Sequence, residues 1–242
     1  MIRVFWNLPR IWPCAHRIFS PAEAAVIRPA CAFLGCAAAL LASGVALSQA
    51  EVALIDRLVL SGAELGASAA AAPRLNLTVV KIEGSGWTRG RALAAVREAS
   101  AILAQCGVAV GRAELLGLAV PPRYLDFFTP LARELARAYP LARPAVYLVR
   151  DTRNRPAFDA EAIGRGNSRT RPELADTVWI TAAARDPGIT LAHELAHVLM
   201  DSGEHSDDEG NLMRDETSAR NVRLSTAQCA RLRDTGSGNG LL

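Results

Sequence analysis

Apolar and polar positions alternate in distinct patterns from residue 75 onward, and the patterns predict strands and helices in turn. Short β-branched or apolar runs bounded by glycine or proline predict strands at 75–83, 108–120, 145–149 and 177–181. Apolar residues at helical spacing predict helices at 89–105 and 129–139, with a last helix entered at 225 or 226 and running to 233. Because the two element types alternate without an internal repeat, we expect one domain of mixed α/β, or α+β, class.

Three stretches lack a clear period. The alanine-rich stretch from 51 to 72 predicts a short helix or a loose lead-in to the fold. Arginine, glycine and asparagine dominate 150–172, which we interpret as a long surface loop. The glycine-rich end, 236–242, is expected to be a disordered tail. The predicted folded domain therefore extends over 51–235.

One further helix carries most of the chemistry. Asp186 is a good N-cap, Pro187 suits the first turn, and Gly203 is a good stop signal. At 100° per residue, His193 and His197 lie one turn apart on the same face. The opposite face is apolar and would pack in the core through Leu191, Leu195, Val198 and Leu199.

The first fifty residues have the pattern of a secretory leader. Arginines precede an apolar run at 30–50, and Ser48 and Ala50 place small side chains where a signal peptidase cleaves. We predict cleavage after Ala50 and export to the periplasm or out of the cell. The alternative is an uncleaved membrane anchor at 30–50, since that run is just long enough to span a bilayer.

Removing the leader changes the charge and the cysteine content. The leader holds four of the 27 basic residues and one of the 24 acidic residues, which leaves 23 of each. A chain with balanced charge and without a basic stripe gives no sign of nucleic-acid binding. We also expect the protein to be a monomer. Only Cys106 and Cys229 remain, and an even pair in an exported chain predicts a disulfide, here between the first long helix and the last.

The histidines predict a metal centre. Two imidazoles one turn apart can bind a single Zn²⁺, which then needs one more protein ligand and an open position. Asp201 is two turns beyond His193, about 12 Å along the helix axis, so it cannot reach the same ion. His205 is the first imidazole after the turn that Gly203 permits. We therefore predict one zinc per chain, held by His193, His197 and His205.

Glu194 stands beside the first of these ligands. Its carboxylate would project toward the open position, where it can act as general base on a zinc-activated water and then as general acid toward a leaving amine. This combination describes metal-assisted hydrolysis of a peptide bond, with a polypeptide as the substrate.

The motif around these residues resembles a known family. HELAH at 193–197 matches the HExxH of zincin metallopeptidases. The later His205, followed by Met213, resembles the metzincins, whose third histidine precedes a methionine-containing turn beneath the metal. The interval HSDDEGNLM at 205–213 is similar to that of the matrixin branch. The resemblance implies a zincin-like single domain with a small twisted sheet, a long first helix and an active-site helix that carries HExxH.

One departure from the metzincin pattern leaves alternatives open. The pattern HExxHxxGxxH would place glycine at 200 and histidine at 203, whereas the chain has Met200 and Gly203, so the histidine arrives two residues late. The alternative third ligand is a downstream carboxylate such as Glu216. A second reading of the whole chain is a secreted zinc-binding or protein-interaction module that has this fold and no catalysis.

Overall fold

The computed structural model describes residues 52–66 and 73–242, and the predicted leader lies outside them. The strands are β1 (Ala53–Ser61), β2 (Arg74–Ile82), β3 (Ala109–Ala119), β4 (Asp126–Phe127), β5 (Ala145–Val149), β6 (Asp151–Thr152), β7 (Ala160–Ile163) and β8 (Thr177–Thr181). The α-helices are α1 (Arg89–Leu103), α2 (Thr129–Ala138), α3 (Pro187–Met200) and α4 (Thr226–Gly238). This single mixed α/β domain confirms the predicted fold class and is consistent with a zincin-like fold.

Six strands form one sheet in the order β1-β3-β2-β5-β8-β7. The four inner strands run parallel to one another, and each outer strand is antiparallel to its neighbour: β1 to β3, and β7 to β8. The short strands β4 and β6 pair separately. Of the two edge strands, β7 is the one that lies beside α3. It forms one wall of the site described below.

The sheet separates two apolar layers because successive side chains of a strand point to opposite faces. In β5, Val146 and Leu148 pack with α1 and α3, whereas Tyr147 packs on the other face with α2. Tyr147 and Trp179 stack there with ring centroids 4.0 Å apart. The helix α3 thus packs against both the sheet and α1, which fixes the position of its polar side chains.

The structure corrects three of the sequence predictions. The first strand β1 occupies part of the stretch expected to be helical or loose; its side chains are mostly exposed, so it shows no apolar period. The predicted surface loop contains β7, an edge strand with only Ile163 fully buried. The expected disordered tail continues α4 to Gly238, and Leu241 is buried.

Among the described residues, no helix combines the length and apolarity needed to cross a membrane.

The close approach of α1 and α3 leads to a testable prediction. A Cβ at Gly188 would lie 2.5 Å from the Cβ of Glu98, so alanine there would push the two helices apart. We expect Gly188→Ala to lower the free energy of unfolding by about 1–3 kcal/mol, measured by denaturant titration. The matched control is Gly90→Ala in α1, where a Cβ meets nothing within 4 Å. Equal unfolding midpoints for the two variants would contradict the packing argument.

Candidate metal centre

The helix α3 places two imidazoles side by side. His193 and His197 lie one turn apart and are buried, with only 3% and 8% of their surfaces exposed. Asp186 occupies the N-cap position, as expected, although its side chain makes no capping hydrogen bond. Because α3 is packed along almost its whole length, the two rings have little freedom to move away from each other.

The helix ends two residues earlier than predicted. Asp201, not Gly203, takes the left-handed conformation that stops it, with φ of 45°. Aspartate tolerates this conformation better than most residues because its short side chain can bond locally. Here the Asp201 carboxylate accepts the N–H of Gly166, at 2.9 Å, from the loop after β7. The turn then leads through Ser202, whose N–H donates to the carbonyl of His197 at 3.1 Å.

The returning chain brings His205 to the other two histidines. The Nε2 of His197 lies 3.0 Å from the Nε2 of His193 and 3.2 Å from the Nε2 of His205. The candidate ligand atoms of the three residues all lie within 4.8 Å of one another. The structure thus places together the three histidines that the sequence indicated, despite the two-residue displacement of the third.

Each ring holds its other nitrogen against an acceptor. The Nδ1 of His193 lies 2.7 Å from the carbonyl oxygen of Leu212, and the Nδ1 of His197 lies 2.6 Å from that of Ser202. The Nδ1 of His205 lies 2.8 Å from a carboxylate oxygen of Asp215. An acceptor at Nδ1 assigns the ring proton to that nitrogen, so each Nε2 carries a lone pair.

The donor set therefore fits a metal ion. The Nε2 atom of His197 lies 3.0 and 3.2 Å from the other two Nε2 atoms. These contacts are not hydrogen bonds, because each ring carries its proton on Nδ1 and no Nε2 has a proton to donate. A cation at their common point would satisfy all three. Zn–N bonds of about 2.0–2.1 Å at tetrahedral angles separate the nitrogens by roughly 3.3 Å, close to the separations seen here.

The electrostatics keep the two buried rings neutral. Burial lowers the pKa of His193, and burial together with the neighbouring His193 lowers the pKa of His197 to about 4. Both imidazoles are therefore neutral at neutral pH, which is the form that binds a metal.

Glu194 lies beside the first of the three histidines and is 8% exposed. Burial, and to a lesser extent the Glu161 carboxylate of β7, raise the pKa of its carboxyl to about 8, although a hydrogen bond from the N–H of Ala162 acts in the opposite direction. Burial also raises the pKa of Glu161. A cation at the three histidines would favour the ionised form of Glu194, since an opposite charge nearby lowers a carboxyl pKa.

Two cavities meet at this glutamate. One, of about 310 Å³, lies between β7 and the three histidines. The other, of about 690 Å³, extends from His193 and Glu194 toward the start of α3 and the segment Asp215–Thr217. Asp159, Asp186 and Glu216 also border this second cavity, and Arg185 is its one basic residue among those described. Both cavities are therefore lined in part by His193 and Glu194.

Met213 lies in the apolar core directly after the residue that supports His193. It is 1% exposed, its N–H donates to the side chain of Asn211 at 2.9 Å, and its carbonyl accepts the N–H of Ser206 at 2.8 Å. The preceding residue, Leu212, supplies the carbonyl for the His193 ring. The segment that contains Leu212 and Met213 therefore connects the loop of His205 with the ring of His193.

Sequence reasoning missed several parts of the centre. Glu216, the alternative third ligand, is not in the three-histidine group; its neighbour Asp215 contacts His205 instead. Nothing in the sequence separates these two adjacent acids. The supporting carbonyls of Ser202 and Leu212 leave no signal either, because every residue has one. Glu161 lies within the stretch that we predicted to be a surface loop, because the sequence pattern did not reveal the edge strand β7.

Cys106 and Cys229 form a disulfide across a sequence separation of 123 residues. The bond joins the short 3₁₀ turn that follows α1 to the first turns of α4. It therefore links the end of α1 to α4, and both of these helices pack against α3. Such a bond is compatible with an oxidising compartment.

No protein-family model matches the chain, and no curated protein matches it. Solved structures do match, among them metalloproteinase-II from Bacteroides fragilis, with 20% sequence identity and a TM-score of 0.48. The match covers 67% of this chain and 53% of the Bacteroides chain, so this chain spans about half the length of that neighbour. A likeness of this size transfers no residue role, and the chemistry has to follow from the geometry of the site.

Proposed function

We propose that the chain is an exported zinc-dependent endopeptidase. The observation that carries the proposal is the convergence of three Nε2 lone pairs while each Nδ1 donates to an acceptor. Such a set provides three protein ligands and leaves a fourth position free, as catalytic zinc sites do. When bound, Zn²⁺ supplies Lewis acidity toward water and toward the scissile carbonyl.

Glu194 is the proton carrier in this proposal. It removes the proton from the attacking water as the new C–O bond forms, and it delivers that proton to the leaving amine as the C–N bond breaks. Burial raises the pKa of the Glu194 carboxyl, and a nearby cation lowers it. The two effects together place this pKa near neutral pH. A general base works best when its pKa lies near the working pH.

The edge strand β7 supports a polypeptide as the substrate. In the six-stranded sheet, β7 has a paired neighbour on one side only, β8. Ala160, Glu161 and Ala162 of β7 line the cleft beside the three histidines. An extended peptide can add to such an edge through main-chain hydrogen bonds, which holds one peptide group at a fixed position. Leader cleavage after Ala50, export and a monomeric state remain part of the proposal.

The test is the zinc content of the purified protein, measured by elemental analysis for the native chain, His205→Ala and Glu216→Ala. We expect one zinc per chain in the native protein and in Glu216→Ala, and markedly less in His205→Ala, because His205, and not Glu216, belongs to the group of three histidines. The zinc-loaded native protein should then cleave members of a broad peptide library.

Three results would count against the proposal. Absence of zinc from all three proteins would remove the catalytic reading altogether. Equal zinc in the native chain and His205→Ala, with less in Glu216→Ala, would move the third ligand to the carboxylate. Full zinc occupancy without cleavage of any library peptide would leave a zinc-binding module in place of an enzyme.

A further inference from the structure

The three histidines of the centre differ in what holds them in place. Main-chain carbonyls accept from His193 and His197, whereas the partner of His205 is a side chain, the carboxylate of Asp215 at 2.8 Å. We propose that Asp215 is a positioning residue, which orients His205 and strengthens it as the third metal ligand. The inference rests on the proposed function in requiring that the centre holds a metal ion.

Burial explains why His205 depends on this partner more than the other two histidines do on theirs. His193 and His197 are buried within α3, where packing restricts their rings. The side chain of His205 is 38% exposed, on the loop beyond the end of that helix. A half-exposed imidazole can rotate, and it can carry its proton on either nitrogen. The carboxylate of Asp215 removes this freedom because it accepts the N–H at Nδ1 and leaves the lone pair at Nε2.

The carboxylate also acts on the strength of the ligand. An imidazole that donates its N–H to a negatively charged oxygen becomes more basic at its other nitrogen. Neutral carbonyls, such as those opposite His193 and His197, do this less. The most exposed of the three ligands thus has the strongest hydrogen-bond acceptor, which compensates for the lack of packing around it.

The chain path delivers Asp215 to this place. The N–H of Ser206 donates to the carbonyl of Met213 at 2.8 Å, and the guanidinium of Arg214 donates to the carbonyl of Asp207 at 2.7 Å. These two bonds close the loop that starts at His205, so that Asp215 returns to face its ring. Glu216, the next residue, is also acidic and exposed but is not in contact with the three rings. It provides a control that matches Asp215 in charge and in position along the chain.

The experiment measures zinc affinity of the full chain by competition with a chromophoric chelator. We expect Asp215→Ala to weaken zinc binding roughly 10- to 100-fold, the usual effect of losing such a partner. Asp215→Asn should fall between this variant and the native chain, because its amide oxygen still accepts the N–H without the charge. Glu216→Ala should bind zinc like the native chain. The Asp215 side chain is 85% exposed, so all variants should fold, as circular dichroism and unfolding midpoints can verify.

A second measurement reports on orientation alone. In the zinc-loaded native protein, ¹H–¹⁵N spectra of the imidazoles should show a slowly exchanging Nδ1–H for His205, and Asp215→Ala should lose that signal while those of His193 and His197 remain.

Native zinc affinity in Asp215→Ala, with the His205 signal retained, would overturn the inference and leave the proposed function standing. An equal loss of affinity in Glu216→Ala would also overturn it, since the effect would then be that of any nearby negative charge. A native chain that binds no zinc would refute the proposed function and this inference together.

Discussion

Replacing Glu194 by glutamine is expected to abolish most peptide hydrolysis while leaving the metal in place. Glutamine keeps the size of the side chain but cannot take up or release a proton, so kcat should fall by about 10²- to 10⁴-fold. Zinc content should remain at one per chain because Glu194 is not in the three-histidine group. The measurement is kcat on a cleaved library peptide, together with elemental analysis of the same sample.

Stability gives an independent check on this variant. Burial of an ionised carboxylate is unfavourable, so glutamine at this buried position should leave the unfolding midpoint unchanged or raise it. The control is Glu209→Gln, an exposed acid on the loop after His205, which should keep full activity. If Glu194→Gln retains zinc and cleaves as fast as the native protein, Glu194 is not the general base. A binding module without catalysis would be indifferent to the change.

Removing the disulfide is expected to have the second large effect, on stability. The bond closes a span of 123 residues, and cross-links over long spans restrict the unfolded chain strongly. The double variant Cys106→Ala, Cys229→Ala should therefore lower the free energy of unfolding by about 2–5 kcal/mol, measured by denaturant titration. Alanine is the suitable replacement because both cysteines are buried and a new hydroxyl would add a cost of its own.

Reduction of the native protein is the matched control for the disulfide. Under a strong reductant, its unfolding midpoint should move to that of the double variant, whose own midpoint should not respond to reductant. Alkylation of the oxidised, unfolded native protein should label neither Cys106 nor Cys229. Labelling of both would show that the bond is absent, and equal midpoints for the oxidised native chain and the variant would show that it does not stabilise the fold.

The parts of this fold that the sequence predicted are those whose signal is local. The spacing of His193 and His197 placed both rings on one helix face, and Gly107 ends the 3₁₀ turn after α1, because its left-handed conformation suits glycine. The inner strands β5 and β8 were recognised because strands buried on both faces give short, largely apolar runs. In such cases the residue types alone carry the structural information.

The parts that were missed depend on contacts distant in the chain. The strand β1 is stabilised by its pairing with β3 and buries few of its own side chains, so no period marks it. The helix α3 ends at Asp201 and not at Gly203, because the Asp201 carboxylate accepts a hydrogen bond from the N–H of Gly166, which lies on a different segment. Which of the adjacent acids, Asp215 or Glu216, contacts His205 depends on how the loop that starts at His205 closes. Pattern alone holds none of this information.

The supporting carbonyls of the centre bear on how such a site can change over evolution. The oxygen opposite the His197 ring belongs to the main chain of Ser202, and the one opposite His193 to that of Leu212. A main-chain oxygen survives any substitution that preserves the local backbone, so mutation at 202 leaves the acceptor intact, and 212 is restricted only by its burial. Two of the three supports can therefore drift in residue type without loss of the site. The identity of the residue at 215 is what selection would have to maintain.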